Sequence, residues 1–271
     1  MSAEDTDLAL AVRLATTAGA LAYSHFQGPE DLWEKSQNNP VSRADLAVNE
    51  YLRSSLAEAR PDDGWLSEET ADTPARLAQA RVWIVDPIDG TRDFIRRRTG
   101  WAVSIALVDH GQPVVAALCA PARDQVFAAA RGGGATLNGV RLSVPHASST
   151  LRIPMQRSNF NSPIWPAPWP NGIAVEKPNS LALRMAKVAA CEADAWIEGR
   201  TVNEWDVAAA TLILTEAGAP VTDRHGLPLS FNKPDPIIKG LVTATPAQHG
   251  LAMHYLQHAL KTLAAVRHTA G

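Results

Sequence analysis

The stretch Trp83-Ile84-Val85-Asp86-Pro87-Ile88-Asp89-Gly90-Thr91-Arg92-Asp93-Phe94 decides the reading of this chain. A short apolar strand, Val82 to Val85, delivers two aspartates onto a proline-stiffened turn that opens into Gly-Thr. In a continuing strand Asp86 and Asp89 would face opposite sides, so the spacing predicts that the strand ends at Asp86 and the chain curls. Pro87 supplies no ladder donor and restricts Asp86 to extended backbone. Gly90 lets the backbone pass close to a ligand, and amides at the start of a following helix can receive an anion. Together these features suit a divalent metal held beside a phosphate.

Asp-Pro-x-Asp-Gly is also ordinary surface-turn chemistry. What tilts the reading is the company it keeps, namely Ser67-Glu68-Glu69-Thr70 upstream and Glu204-Trp205-Asp206 downstream. Carboxylates at three places, each beside an apolar element, suit a folded site that needs hard oxygen ligands. With no convincing histidine cluster nearby, that donor set favours magnesium over zinc. His254 and His258 share a helical face, but no carboxylate close in sequence completes a zinc motif.

The remaining composition is that of a soluble enzyme, with 46% hydrophobic and 20% charged residues in 271. A formal net charge of -3 gives no reason to expect a nucleic acid polymer as partner. The opening residues carry Glu4, Asp5 and Asp7 and no basic cluster, and no apolar stretch is long enough for a membrane span, so a cytoplasmic setting is expected. Cys119 and Cys191 lie in apolar surroundings and read as free buried thiols.

Helical periodicity predicts a first helix over 8–26. Ser42 with Asp45 three positions on predicts a capped helix running to about Ala59. Thr70 to Gln79 reads as a surface loop, and 101–143 as a meandering antiparallel sheet. Beyond it, a helix over 180–192, a short strand at 195–197, an apolar helix over 206–217, a strand at 241–244 and a closing helix over 247–265 suggest α/β architecture. The chain accordingly divides into 1–145, an α+β unit carrying most of the candidate metal ligands, and 146–271, an α/β unit contributing Asp206 and substrate contacts.

These motifs, in this order, resemble the inositol monophosphatase family of lithium-sensitive, magnesium-dependent phosphatases. Trp83 to Phe94 looks like the first family signature, Trp205-Asp206-Val207-Ala208-Ala209 with Glu216-Ala217-Gly218 like the second, and Lys35 to Asp45 like the N-terminal supporting stretch. The resemblance implies an α+β fold, a layered αβαβα sandwich, and about two or three Mg2+ ions per site. It implies metal ligation by Glu68, Asp86, Asp89, Asp206 and the Ile88 carbonyl. Gly90 and Thr91 would hold the substrate phosphate, and Thr91 would help Glu68 orient the attacking water. Asp45 would act behind the metals, with Glu69 and Lys35 nearby. A homodimer is what the family suggests.

Arg92-Asp93 after Thr91 looks like the 3'(2'),5'-bisphosphate nucleotidase branch, which removes the 3'-phosphate of adenosine 3',5'-bisphosphate. Glu204 and the Phe231-Asn232-Lys233-Pro234 segment resemble that branch as well, making Arg92, Glu204 and Lys233 candidate substrate contacts. Lys177-Pro178-Asn179-Ser180 departs from the Gly-Ser-Ser usual there. Metal ligands say nothing about the leaving alcohol. Inositol 1-phosphate, histidinol phosphate and fructose bisphosphate therefore remain alternative substrates, and a non-catalytic binding protein the outlying one.

Overall fold

Strand and helix assignments follow from a computed structural model that describes residues 3–28, 32–36, 39–169 and 171–269, the side chains of 3–5, 32–36, 39–41 and 266–269 excepted. The first layer is α1 (Ala3–Gln27) and, after the small hairpin β1 (Leu32–Ser36) and β2 (Asn39–Ser42), α2 (Arg43–Ala59). The expected cap of α2 is built as a box. The Asp45 carboxylate accepts the Ser42 N–H at 2.8 Å while the Ser42 hydroxyl accepts the Asp45 N–H at 3.4 Å.

The second layer is a seven-stranded sheet in sequence order: β3 (Gly64–Ser67), β4 (Arg81–Asp89), β5 (Ala102–Asp109), β6 (Gln112–Ala120), β7 (Gln125–Ala130), β8 (Gly134–Leu137) and β9 (Val140–Arg141). It meanders antiparallel from β4 onward, but β3 runs parallel to β4, which the expected meander did not include. Alternation sorts the side chains of β4. Trp83 and Val85 face Leu14, Ala18 and Leu52 of α1 and α2, while Val82 and Ile84 face the opposite side.

On that opposite side lie α4 (Leu181–Ala189) and α5 (Glu204–Ala217), reached after α3 (Thr91–Ile95), β10 (Leu151–Pro154) and β11 (Gly172–Val175). α5 is apolar nearly all round, from Val207 to Leu214, because it is buried between two sheets. Its second neighbour is a three-stranded sheet ordered β12 (Ala195–Asn203), β14 (Ile237–Ala244), β13 (Val221–Asp223), and α6 (His249–Thr269) closes the far side. The result is the αβαβα sandwich that the resemblance implied. This second sheet is antiparallel throughout, unlike the parallel sheet an α/β reading suggests; among the described residues of the second half, parallel pairing is confined to β10 and β11. One apolar cluster joins Ile84 and Leu118 of the large sheet to Ala186, Val207 and Leu241, so the halves meeting near residue 145 share a core.

The 70–79 segment is more than a surface loop. It holds a 3-10 turn, Pro74–Ala78, whose Arg76 is buried and reaches across to Asn232 and Lys233. The cysteines are free; Cys119 is buried, with its thiol pushed up to about 11 by burial, while Cys191 is only half-buried.

Packing of α1 on β6 is tight at one point. A Cβ on Gly19 would stand 2.7 Å from Cys119 Sγ, inside the van der Waals limit. Gly19→Ala gains about 1 kcal/mol of helix propensity but overpacks a closed contact at a cost of about 1–3 kcal/mol. Chemical denaturation should show net destabilisation in the native background and a gain once Cys119→Ala has made room. Equal effects in both backgrounds would show that the contact does not govern helix packing.

Candidate metal and active site

The two aspartates of β4 converge by a bulge, not by a strand end. Asp86 pairs with Ser104 and Asp89 with Ala102, so three steps along β4 match two along β5. The extra residue returns Asp89 to the face of Asp86, which a regular strand would deny it. Carboxylate oxygens of Asp86, Asp89 and Asp206 all lie within 4.8 Å of one another, with Asp86 and Asp89 buried.

Each carboxylate is aimed by its own backbone neighbours. Asp86 accepts the Ile88 N–H at 3.1 Å across the bulge. Asp206, in the first turn of α5, accepts the Asn203 N–H at 2.7 Å, so it holds the helix start and faces the cluster at once. Asp89 is held most firmly. It accepts the Ser180 hydroxyl at 2.6 Å, the Leu181 N–H at 3.0 Å and the Ala182 N–H at 2.8 Å. Those donors open α4, where a negative charge is favoured.

Burial and like charge dominate the electrostatics of the cluster. Burial raises the Asp86 carboxyl well above the usual range, and the charges of Glu68, Asp89, Asp206 and Asp45 raise it further. Asp206 is raised by burial and by Asp89 and Glu68, against the Asn203 amide. Asp89 is raised by burial despite its Ser180, Ala182 and Leu181 donors. Closely held carboxylates in an apolar wall are costly unless cations share them. The donor set is all oxygen and matches a hard divalent ion. Glu68 stands outside the three-carboxylate group at the end of β3, close enough for its charge to bear on both Asp86 and Asp206.

Asp45 and Thr91 meet from opposite ends of the first half. The Thr91 hydroxyl lies 3.4 Å from Asp45 Oδ1 and 3.1 Å from the Ile88 carbonyl, while Asp45 Oδ2 is kept by Ser42. Asp45 is buried, so its orientation is fixed. Gly90 adopts φ +97°, and a Cβ there would meet the Gly100 carbonyl at 2.6 Å and the Ser180 amide at 2.8 Å. Both conformation and space demand glycine. Glu69 is half-buried beside this edge, and the Lys35 side chain lies outside the described residues.

The three candidate substrate contacts are placed differently. Arg92 is exposed on α3. Glu204 has no exposed surface and gives its oxygens to the Asn232 N–H at 2.6 Å and the Lys233 N–H at 3.2 Å. It therefore acts on the 231–236 loop, which Arg76 pins from the other side. The Lys233 ammonium donates to the Ile237 carbonyl and lies 3.6 Å from Glu204. Just beyond α3 lies the run Arg96-Arg97-Arg98, in which Arg97 donates to the His25 and Gly28 carbonyls at the end of α1.

Ser180, Asp93, Arg76 and Arg184 were not legible as site residues. Ser180 before an apolar helical run is a cap signal, but nothing local says that the cap also holds a distant aspartate. Asp93 accepts the Asn179 N–H at 3.0 Å and so fastens α3 to the turn before α4.

The inositol monophosphatase family model matches residues 3–261. The chain is 33% identical over 229 residues to the 3'(2'),5'-bisphosphate nucleotidase CysQ of Escherichia coli K12, covering 81% of this chain and 91% of that one. It is 34% identical over 238 residues to a Streptomyces griseus protein named glucose-1-phosphate thymidylyltransferase, covering 83% and 89%. The solved Thermotoga maritima IMPase superposes with a TM-score of 0.80 at 23% identity, covering 95% of this chain and 99% of that one. With the carboxylate cluster, the five-layer sandwich and a family match over nearly its whole length, the chain belongs to the inositol monophosphatase family of phosphatases.

Proposed function

We propose that the protein is a magnesium-dependent phosphomonoesterase whose favoured substrate is adenosine 3',5'-bisphosphate. The observation that carries the reading is the convergence of Asp86, Asp89 and Asp206 within 4.8 Å. Glu68, these three aspartates and the Ile88 carbonyl are the proposed ligand set. When bound, a divalent ion supplies charge neutralisation at phosphoryl oxygens and acidifies water. The chain itself does the positioning. Gly90 and Thr91 open α3 toward the substrate phosphate, Arg92 adds positive charge at its rim, and Glu204 with Lys233 shapes the loop beside α5. Asp45 is placed to take a proton from the Thr91 hydroxyl, which in turn orients the attacking water together with Glu68. The nucleotide preference is supported by the similarity to the E. coli nucleotidase. The name of the Streptomyces relative speaks of transfer to glucose 1-phosphate and is not adopted, since the family model that matches residues 3–261 is that of the inositol monophosphatases.

Charge removal separates metal binding from folding. Asp86→Asn keeps an acceptor for the Ile88 amide and removes one of the repelling charges, so the metal-free protein should melt higher than the wild type. Magnesium should raise the wild-type melting temperature and leave that of the variant nearly unchanged. Removing groups that merely orient metal ligands costs about 10–100-fold in affinity or activity, and turnover of Asp86→Asn should fall below that range. Full turnover, or a magnesium shift equal to that of the wild type, would refute the ligand assignment. Asp89→Asn is the poorer test, because its amide would turn a donor toward the donors of α4.

Thr91 is tested by its hydroxyl. Thr91→Ala should lower kcat with the magnesium-induced melting shift retained, within the ceiling of about 10²–10⁴-fold for general acid–base catalysis. Thr91→Ser should keep most of it. An unchanged kcat in Thr91→Ala would reduce the hydroxyl to its bond with the Ile88 carbonyl.

The substrate assignment is tested by phosphate release from adenosine 3',5'-bisphosphate, inositol 1-phosphate, fructose 1,6-bisphosphate and histidinol phosphate in parallel. The nucleotide should lead in kcat/KM. A lead for inositol 1-phosphate of about tenfold, or about 1.4 kcal/mol in transition-state binding, would overturn the nucleotidase reading and leave the metal chemistry standing.

A further inference from the structure

Beside the carboxylate cluster, on the side built by the second half, stands a group of cations that the proposed chemistry leaves unused. β12 carries Glu198 and Arg200, and its register against β14 slips there: Glu198 pairs with Leu241 and Thr201 with Lys239. The bulge takes Gly199 and Arg200 out of the regular ladder, a device that re-aims side chains. Glu198 is buried and accepts three bonds from Arg200, from its N–H at 3.0 Å, Nε at 3.0 Å and Nη2 at 3.1 Å. The Arg200 side chain nevertheless remains 74% exposed.

Two more cations share the neighbouring Trp196 ring, with Lys177 Nζ 5.8 Å and Arg184 Cζ 5.2 Å from its centroid. Arg184 is only 5% exposed. Its Nε and Nη2 donate to the Pro178 and Asn179 carbonyls at 2.7 Å each, and its Nη1 is buried without an acceptor. The Lys177 ammonium is depressed below its usual range by burial and by the charges of Arg184 and Arg200, with Glu198 acting against them. Arg184 feels the charges of Asp89, Glu198 and Asp93 against that of Arg200, yet its buried Nη1 still has no acceptor. A buried guanidinium donor left without an acceptor is unfavourable unless an incoming group such as an anion completes it.

The group is contiguous with the catalytic carboxylates. The charge of Arg184 bears on Asp89, and those of Glu198 and Arg200 on Asp206. The Pro178–Asn179 turn that Arg184 holds leads straight into Ser180, the residue that fixes Asp89.

We propose that Lys177, Arg184 and Arg200 form a subsite for a second phosphate of the substrate. Lys177 and Arg200 make the contacts, and Arg184 supplies charge from beneath while bracing the turn. This inference rests on the phosphomonoesterase reading and gives it a selectivity: doubly phosphorylated substrates over singly phosphorylated ones. The Lys233 ammonium, by contrast, is engaged by Glu204 and the Ile237 carbonyl.

The test is the ratio of kcat/KM for adenosine 3',5'-bisphosphate to that for adenosine 3'-monophosphate, with magnesium present. The wild type should favour the bisphosphate by about tenfold or more, the scale of a charge-assisted hydrogen bond. Lys177→Ala and Arg200→Gln, both at exposed positions, should each cut the ratio severalfold while changing turnover of the monophosphate by less than about twofold. The double variant should abolish the preference. Unchanged ratios, or equal losses on both substrates, would overturn the subsite. A wild type that hydrolyses adenosine 3'-monophosphate without favouring the bisphosphate overturns the subsite alone. A wild type that releases phosphate from neither nucleotide overturns the nucleotidase reading along with it, and one that also releases none from inositol 1-phosphate, fructose 1,6-bisphosphate or histidinol phosphate overturns the phosphomonoesterase reading.

Discussion

Mutual repulsion among Asp86, Asp89 and Asp206 is the constraint around which the molecule is organised. Buried like charges at this separation destabilise a fold unless something holds them and something neutralises them. The holding is visible in every element that meets at the site. A bulge turns Asp89 to the side of Asp86, the first turn of α5 presents Asp206, and the start of α4 clamps Asp89 with three donors. The neutralising partner that such an oxygen-only cage selects is a hard divalent cation.

The same arrangement explains why the halves of the chain share one core. Asp89 belongs to the large sheet and its clamp to α4, so the ligand geometry exists only when α4 and α5 are packed on that sheet. The apolar faces of Val82 and Ile84 against Ala186 and Val207 supply the packing. Gly90, Gly100 and Asp93 close the seam where the backbone of the first half passes the turn before α4. A site divided between two elements is in this way made as stiff as one built on a single element.

Much of this was legible in the sequence, for identifiable physical reasons. Helical periodicity gave α1, α2, α5 and α6 because each buries a stripe or, in α5, its whole circumference. Ser42 and Asp45 announced a cap that the structure contains. The Asp86–Asp89 convergence was legible too, but by the wrong device: proline suggested a strand end, whereas β4 continues to pair with β5 past it and carries one extra residue as a bulge. Pairing partners far away in sequence also hid the parallel β3 and the antiparallel second sheet. Single residues are only partly legible for a similar reason. Glu204 reads as a substrate contact by resemblance to the nucleotidase branch, and the structure adds that its buried carboxylate braces the 231–236 loop. Ser180 reads as a mere cap, yet it is what fixes Asp89. Long-range hydrogen bonding leaves no local signature.

The claim that these carboxylates exist to share a cation is tested most directly by anomalous scattering from crystals equilibrated with Mn2+ as a surrogate for Mg2+. The account predicts an anomalous peak enclosed by Asp86, Asp89 and Asp206, with Glu68 and the Ile88 carbonyl at its margin. A cluster that stays free of manganese at millimolar concentrations, its carboxylates bonded only to one another and to their backbone donors, would contradict it.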